Sequence, residues 1–263
     1  MAGEPKTRRQ PEEKPFLDHL EDLRFLVWKI LASWGAAAIL AFILAGPVMK
    51  AVRWPLDRIA EEFGQGETEF ILRSLSPSEV FLTSIRLALL VGLIAALPLI
   101  LYLLSRFLLP ALKPDEKKYL VPGFLFGGGL FFAGVAFAYA VVLPLGLKFF
   151  WSYTLRLGIR PEWTLENYIS MAGKLTLGFG LVFELPVVIL VLAALRIIDY
   201  RSMRRKRPFV VVGILTLSAL LTPPDVVTQV LMAVPLLILF EICVLMARIL
   251  FPGNSRGDEP GQL

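Results

Sequence analysis

The sequence predicts an all-α integral membrane protein with six transmembrane helices, and three observations predict it. The 263 residues are 56% hydrophobic and only 19% charged, against roughly 25% charged in soluble domains. The apolar residues fall into long runs, and a run of about 18 or more crosses the hydrocarbon core as a helix. The basic residues gather in alternate segments between those runs, as the topology of a membrane protein requires.

Taken in order, the first span is expected near Phe25–Ala45, after a polar lead too long and too mixed in charge for a cleavable secretory signal. The loop that follows, about Gly46–Pro77, is the largest, and its segment Val48–Phe63 reads as an amphipathic helix lying at the membrane surface. The second, third and fourth spans, Val80–Leu109, Leu120–Leu147 and Ile169–Leu195, are long enough to tilt. The fifth and sixth, Phe209–Leu221 and Val226–Phe240, are short. The fifth rises only about 20 Å, less than the ~30 Å of hydrocarbon, so the bilayer beside this pair is expected to thin or the helix ends to snorkel. The turn Thr222-Pro223-Pro224-Asp225 between them is tight. Three regions result: a cytoplasmic segment 1–24, a single six-helix membrane domain 25–250, and a disordered cytoplasmic tail 251–263.

Orientation comes from Lys and Arg. Seventeen of the 27 lie in the N-terminal lead, the second and fourth loops and the tail, and seven in the first, third and fifth. The richer side faces the cytoplasm, which places both termini there. The same asymmetry accounts for the net charge of +5 without nucleic acid. A single histidine, His19, excludes a His-rich metal centre, and the lone Cys243 cannot pair internally. There is no G-x-x-x-x-G-K-[ST] loop, no H-E-x-x-H and no nucleophile elbow. Neither an enzyme nor a cofactor is expected.

A few residues remain to carry chemistry. Glu184 lies inside the fourth span, in Phe183-Glu184-Leu185-Pro186, where a charge costs roughly 2.5–3.5 kcal/mol on insertion scales. It either serves a polar cavity or partner, or hydrogen-bonds a neighbouring helix, and Pro186 is expected to kink the span there. Glu241 reads as an interfacial acid ending the sixth span. Ser76-Pro77-Ser78-Glu79 reads as a capping box starting the second span, with Ser76 at N-cap and Glu79 at N3. Asp225 is placed to cap the sixth. Gly123-x-x-x-Gly127 is a weak helix-packing signal. On the basic cytoplasmic side, Asp18, Glu21, Asp22, Asp115 and Glu116 make a local acidic patch of the kind that binds arginines through bidentate hydrogen bonds. Read alone, Glu116 also serves as the third residue of a helix opened by Pro114.

Taken together these pieces resemble one family. His19-Leu20-Glu21-Asp22-Leu23-Arg24, Ser76-Pro77-Ser78-Glu79-Val80-Phe81, Leu109-Pro110-Ala111-Leu112 with Glu116-Lys117-Lys118, Phe137-Ala138-Tyr139, Phe183-Glu184-Leu185-Pro186, Lys206-Arg207-Pro208 and Leu221-Thr222-Pro223-Pro224-Asp225 stand in the order and spacing of TatC, the receptor component of the twin-arginine protein translocase. The resemblance covers about Phe16 to Phe251. It implies a glove-like concave bundle in the cytoplasmic membrane. It also implies a receptor that binds twin-arginine signal peptides of folded cargo and works with single-span TatA and TatB subunits under the proton-motive force. Self-association is implied too.

Carried over by motif, the signal site is Asp22 and Glu116, with Arg24 and Lys117 nearby. The family usually has Glu where this chain has Asp22, which keeps the charge with a methylene less reach, and Glu21 is a second candidate there. Glu184 matches the family's intramembrane acid. Phe81 and Pro47 fall in the external assembly region, and Gln229 with the fifth span in the region of TatA and TatB docking. The alternative from another class is a proton-coupled transporter of a small solute, suggested by Glu184 among glycines and Pro186. The absence of an internal repeat between the halves counts against it.

Overall fold

The structure is a computed structural model that describes residues 16–63, 72–108, 127–159, 161–194, 198, 200–221 and 226–250. Its regular elements are all helical. They are α1 (Phe16–Ile43), α2 (Ala45–Phe63) and α3 (Glu79–Leu108); α4 (Gly127–Arg156), which carries a π-helical turn at Ala138–Val142; and α5 (Leu165–Phe183), α6 (Leu185–Ala194), α7 (Tyr200–Arg205), α8 (Arg207–Leu221) and α9 (Val226–Leu250). Five stretches among the described residues are long and apolar enough to cross a membrane: Leu20–Ile43, Glu79–Phe107, Gly127–Arg156, Leu165–Ala193 and Met232–Ile249. Arg207–Leu220 is a shorter apolar helix.

Small residues set the closest helix approaches. α1 lies along α3, and a Cβ added to Gly92 would fall 2.5 Å from the Ala38 Cα. On α4, a Cβ at Gly134 would meet the Phe179 carbonyl oxygen of α5 at 2.7 Å. These positions let the backbones touch where any side chain would hold them apart. The main core joins Leu56 and Ile59 of α2, Leu143 and Leu147 of α4, Tyr168 and Phe179 of α5, Ile214 of α8 and Met232 of α9. A second, smaller core at the other end holds Ala193, Met203, Cys243 and Ala247, so the lone thiol is a packing group.

The amphipathic α2 is pinned on the bundle by its buried Leu56 and Ile59 and by two tyrosines. The Tyr168 hydroxyl donates to the Val52 carbonyl at 2.6 Å, and Tyr139 donates to the carbonyl of Ala51. Beyond α2, the backbone of Arg73 pairs with Trp163 and Leu165 at 3.0 Å each. The loops before α3 and before α5 therefore meet at one end, as two loops on the same side of a membrane do.

Three expectations need correction. The sixth span is not short: α9 continues nine residues past Glu241 to Leu250, because Glu241 pairs with Arg207 at the start of α8 while Ile242–Ala247 stay apolar. A charge that finds a partner beside the helix does not end it. Only α8 is short. The helix of the second span begins at Glu79, so Ser76 does not cap it. Ser76 offers its carbonyl, not its hydroxyl, to the Glu79 N–H, and its hydroxyl bonds Ser78. The first helix starts at Phe16 rather than Phe25, and its apolar stretch runs Leu20–Ile43. Asp225 lies outside the described residues.

Candidate functional site

Glu184 sits where the fourth span breaks. Pro186 has no N–H to continue the α5 ladder, so α5 ends at Phe183, Glu184 is a turn, and α6 begins at Leu185. The half-buried carboxylate points at α4. A Cβ on Gly127 would come within 2.6 Å of its Oε2, and its Oε1 is enclosed with no hydrogen-bond partner among the described residues. A buried polar atom left unpaired is costly and asks for a partner. Phe137 of α4 stacks on Phe183 at 5.9 Å and supports the break from below.

A second constellation lies at the meeting loops. The buried Glu79 carboxylate accepts from the Leu75 N–H at 2.5 Å, the Ser74 hydroxyl at 3.2 Å and the Glu166 N–H at 3.2 Å. It thus ties the start of α3 to the start of α5, while Thr164 caps α5 by accepting from the Asn167 N–H. Arg73 pairs with Glu162 at 3.0 Å across the same junction.

Close by, Phe81 is 60% exposed and meets Phe42 edge-on at 6.3 Å. The two rings close one end of an apolar groove of about 420 Å³ along α1 and α3, floored by Gly35, Ala38 and Ala88. Pro47 is exposed in the first turn of α2. Gln229 on α9 donates from Nε2 to the Leu215 carbonyl of α8 at 3.0 Å, so it clasps the α8–α9 pair.

On the opposite end, Glu21, Asp22 and Arg24 are all exposed on the projecting start of α1. The Arg24 guanidinium lies 5.8 Å from the Phe25 ring centre. Glu116 and Lys117 lie outside the described residues.

Three cations inside spans were passed over by sorting charges loop by loop. Lys29 is exposed on α1, Arg86 on α3 pairs with Glu166 of α5, and Lys174 stands exposed on α5. The signal was in the sequence all along: a charge within an apolar run.

The family model for the Sec-independent protein translocase protein TatC matches residues 18–235. The chain belongs to the TatC family. It is 36% identical to the Sec-independent protein translocase protein TatC of Escherichia coli K12, over 94% of this chain and 93% of that one. It is 41% identical to the TatC protein of Akkermansia muciniphila over 72% of its own length, and spans about half (54%) of that longer relative. Among solved structures it is similar to a crystal structure of the twin-arginine translocase receptor TatC, with a TM-score of 0.77 and 36% identity over 87% of this chain and 99% of that one. As a TatC protein the chain is a membrane component of the Sec-independent, twin-arginine translocase and not an enzyme.

Proposed function

We propose that this chain is the signal-recognising subunit of its translocase. It sits in the cytoplasmic membrane with six spans and both termini inside, the six-helix domain occupying 25–250 between a cytoplasmic lead and tail. Asp22 and Glu116, with Glu21 beside them and Arg24 and Lys117 setting the local charge, receive the paired arginines of the signal peptide. Two carboxylates on an otherwise basic face favour arginine, whose fork makes bidentate bonds that lysine cannot. The exposed acids on the projecting start of α1 support this reading.

TatA- and TatB-type single-span subunits dock within the membrane. The observation that carries this is Glu184 itself, half-buried at a helix break, with no hydrogen-bond partner for its Oε1 among the described residues. Rotation of this carboxyl towards a partner helix would let a polar side chain there satisfy it. The groove closed by Phe81 and Phe42, with Pro47 at its edge, has the small-residue floor that such a helix packs on. Gln229 holds the short α8 against α9 as a second docking face. Proton-motive force then drives export of the folded cargo.

The test is site-specific crosslinking of a twin-arginine precursor to the purified protein in vesicles. Asp22→Ala with Glu116→Ala should abolish the crosslink, and replacing the signal arginines with lysines should weaken it. Undiminished crosslinking in the double variant would sink the assigned site.

A further inference from the structure

Lys174 stands in the wall of the bundle without a counter-charge among the described residues, and no reading above uses it. It lines a cavity of about 230 Å³ between α3 and α5, together with Thr83, Arg86, Glu166 and Ser170 above and Leu90, Gly173 and Leu177 below. The cavity is therefore two-natured: hydroxyls and charges towards the Glu79 end, aliphatic surface towards the middle of the membrane. Gly173 keeps the floor open, since a Cβ there would strike the Leu90 side chain at 2.4 Å. Arg86 already has Glu166 as its partner. Lys174 is the surplus positive charge.

Depth decides what such a cavity suits. Arg86 lies about 11 Å along α3 from Glu79, and Lys174 about 14 Å along α5 from Leu165, at 1.5 Å per residue. The two spans, Glu79–Phe107 and Leu165–Ala193, are each about 14 Å longer than the ~30 Å hydrocarbon core. Centred in the bilayer, each projects about 7 Å at either side, so both cations start a few ångströms below the hydrocarbon boundary. A lysine stem reaches about far enough to lift its ammonium to that boundary by snorkelling. The charges thus arrive at the level of lipid phosphates, and the aliphatic floor runs down alongside the acyl chains.

We propose that this cavity binds an anionic phospholipid, its phosphodiester held between Lys174 and Arg86 with the hydroxyls of Thr83 and Ser170, and one acyl chain laid over Leu90 and Leu177. The site is separate from Glu21 and Asp22 at the start of α1 and from Glu184. An isolated charge in a lipid-facing wall is expensive. A lipid phosphate, acidic and held at the headgroup level, offsets that cost where it is incurred.

The experiment is native mass spectrometry of the full-length protein released from micelles containing phosphatidylglycerol, phosphatidylcholine or neither with added inorganic phosphate. Phosphatidylglycerol should be retained and phosphatidylcholine lost. Lys174→Gln should weaken retention about tenfold, the scale of one hydrogen bond to a charged group, and Lys174→Arg should restore it. Lys29→Gln, an exposed cation on the face of α1, controls for bulk charge and should retain the lipid as the parent does. Retention unchanged in Lys174→Gln, or lost equally in Lys29→Gln, overturns the site. Retention of inorganic phosphate in the lipid-free micelles, lost in Lys174→Gln, with no retention of phosphatidylglycerol, would overturn the lipid site and reassign it to a free anion. An amine-reactive crosslink from Lys174 to a co-purified polypeptide, in place of lipid, would overturn it as well.

Discussion

At the scale of single residues, two glycines of α4 face the same neighbour and do different things. Gly134 meets the backbone carbonyl of Phe179 at 2.7 Å from where a Cβ would stand. That oxygen belongs to a helix ladder and cannot step aside, so Gly134→Ala should destabilise the protein by about 1–3 kcal/mol, the usual range for overpacking. Gly127 meets the far end of the Glu184 side chain first, at 2.6 Å. A side chain can rotate away, so Gly127→Ala should leave the melting temperature in detergent nearly unchanged. What it should change is the position of the carboxylate. Crosslinks from a probe at Leu181, exposed one turn before Glu184, to a TatA- or TatB-type helix should fall with Gly127→Ala about as far as with Glu184→Gln. If Gly127→Ala melted like Gly134→Ala while its crosslinks persisted, Glu184 would be a packing group and the partner reading would fail.

At the scale of elements, the sequence told most where a rule is local. Pro186 removes an N–H, and the break appears at Glu184. The periodicity of Val48–Phe63 predicts an amphipathic helix, and α2 covers Ala45–Phe63 with Leu56 and Ile59 buried. It told least where a residue's partner lies far along the chain. Glu241 reads as the end of a helix until Arg207, 34 residues earlier, is placed beside it. Glu79 reads as part of its own capping box, yet one of its bonds goes to the N–H of Glu166, 87 residues on. Capping rules describe a helix start in isolation and cannot see a second helix starting beside it. This long-range bond makes a prediction about α3 and α5 together. Glu79→Ala leaves the N–H groups of Leu75 and Glu166 without their acceptor and should free the loops at this end. Protease added from that side should cut the loop before α3 severalfold faster, while Glu79→Gln, which still offers an oxygen, should be cut at an intermediate rate. Equal cutting of Glu79→Ala and the parent would show that Arg73, through its backbone bonds to Trp163 and Leu165 and its pair with Glu162, holds the junction without Glu79.

At the scale of the whole molecule, the signal-binding reading depends on which end of the bundle faces which compartment. The fold supplies half of that answer. The backbone of Arg73 pairs with that of Trp163 and Leu165, so the loops before α3 and α5 share one side, and the basic α7 follows the fourth span to the other. Charge supplies the rest: Arg201, Arg204, Arg205, Lys206 and Arg207 crowd the α7 end, and such a cluster resists export. The single native thiol makes the orientation measurable, because Cys243 is 1% exposed and should contribute little background. Leu75 and Ile159 are exposed, at 79% and 56%. Leu75→Cys and Ile159→Cys should react with an impermeant maleimide added outside intact cells, whereas Arg204→Cys should react only after the membrane is opened. Labelling of Arg204→Cys from outside would put the α1 acids, Glu21 and Asp22, on the wrong face for a peptide arriving from the cytoplasm. No arrangement of carboxylates could then make that site a signal receptor.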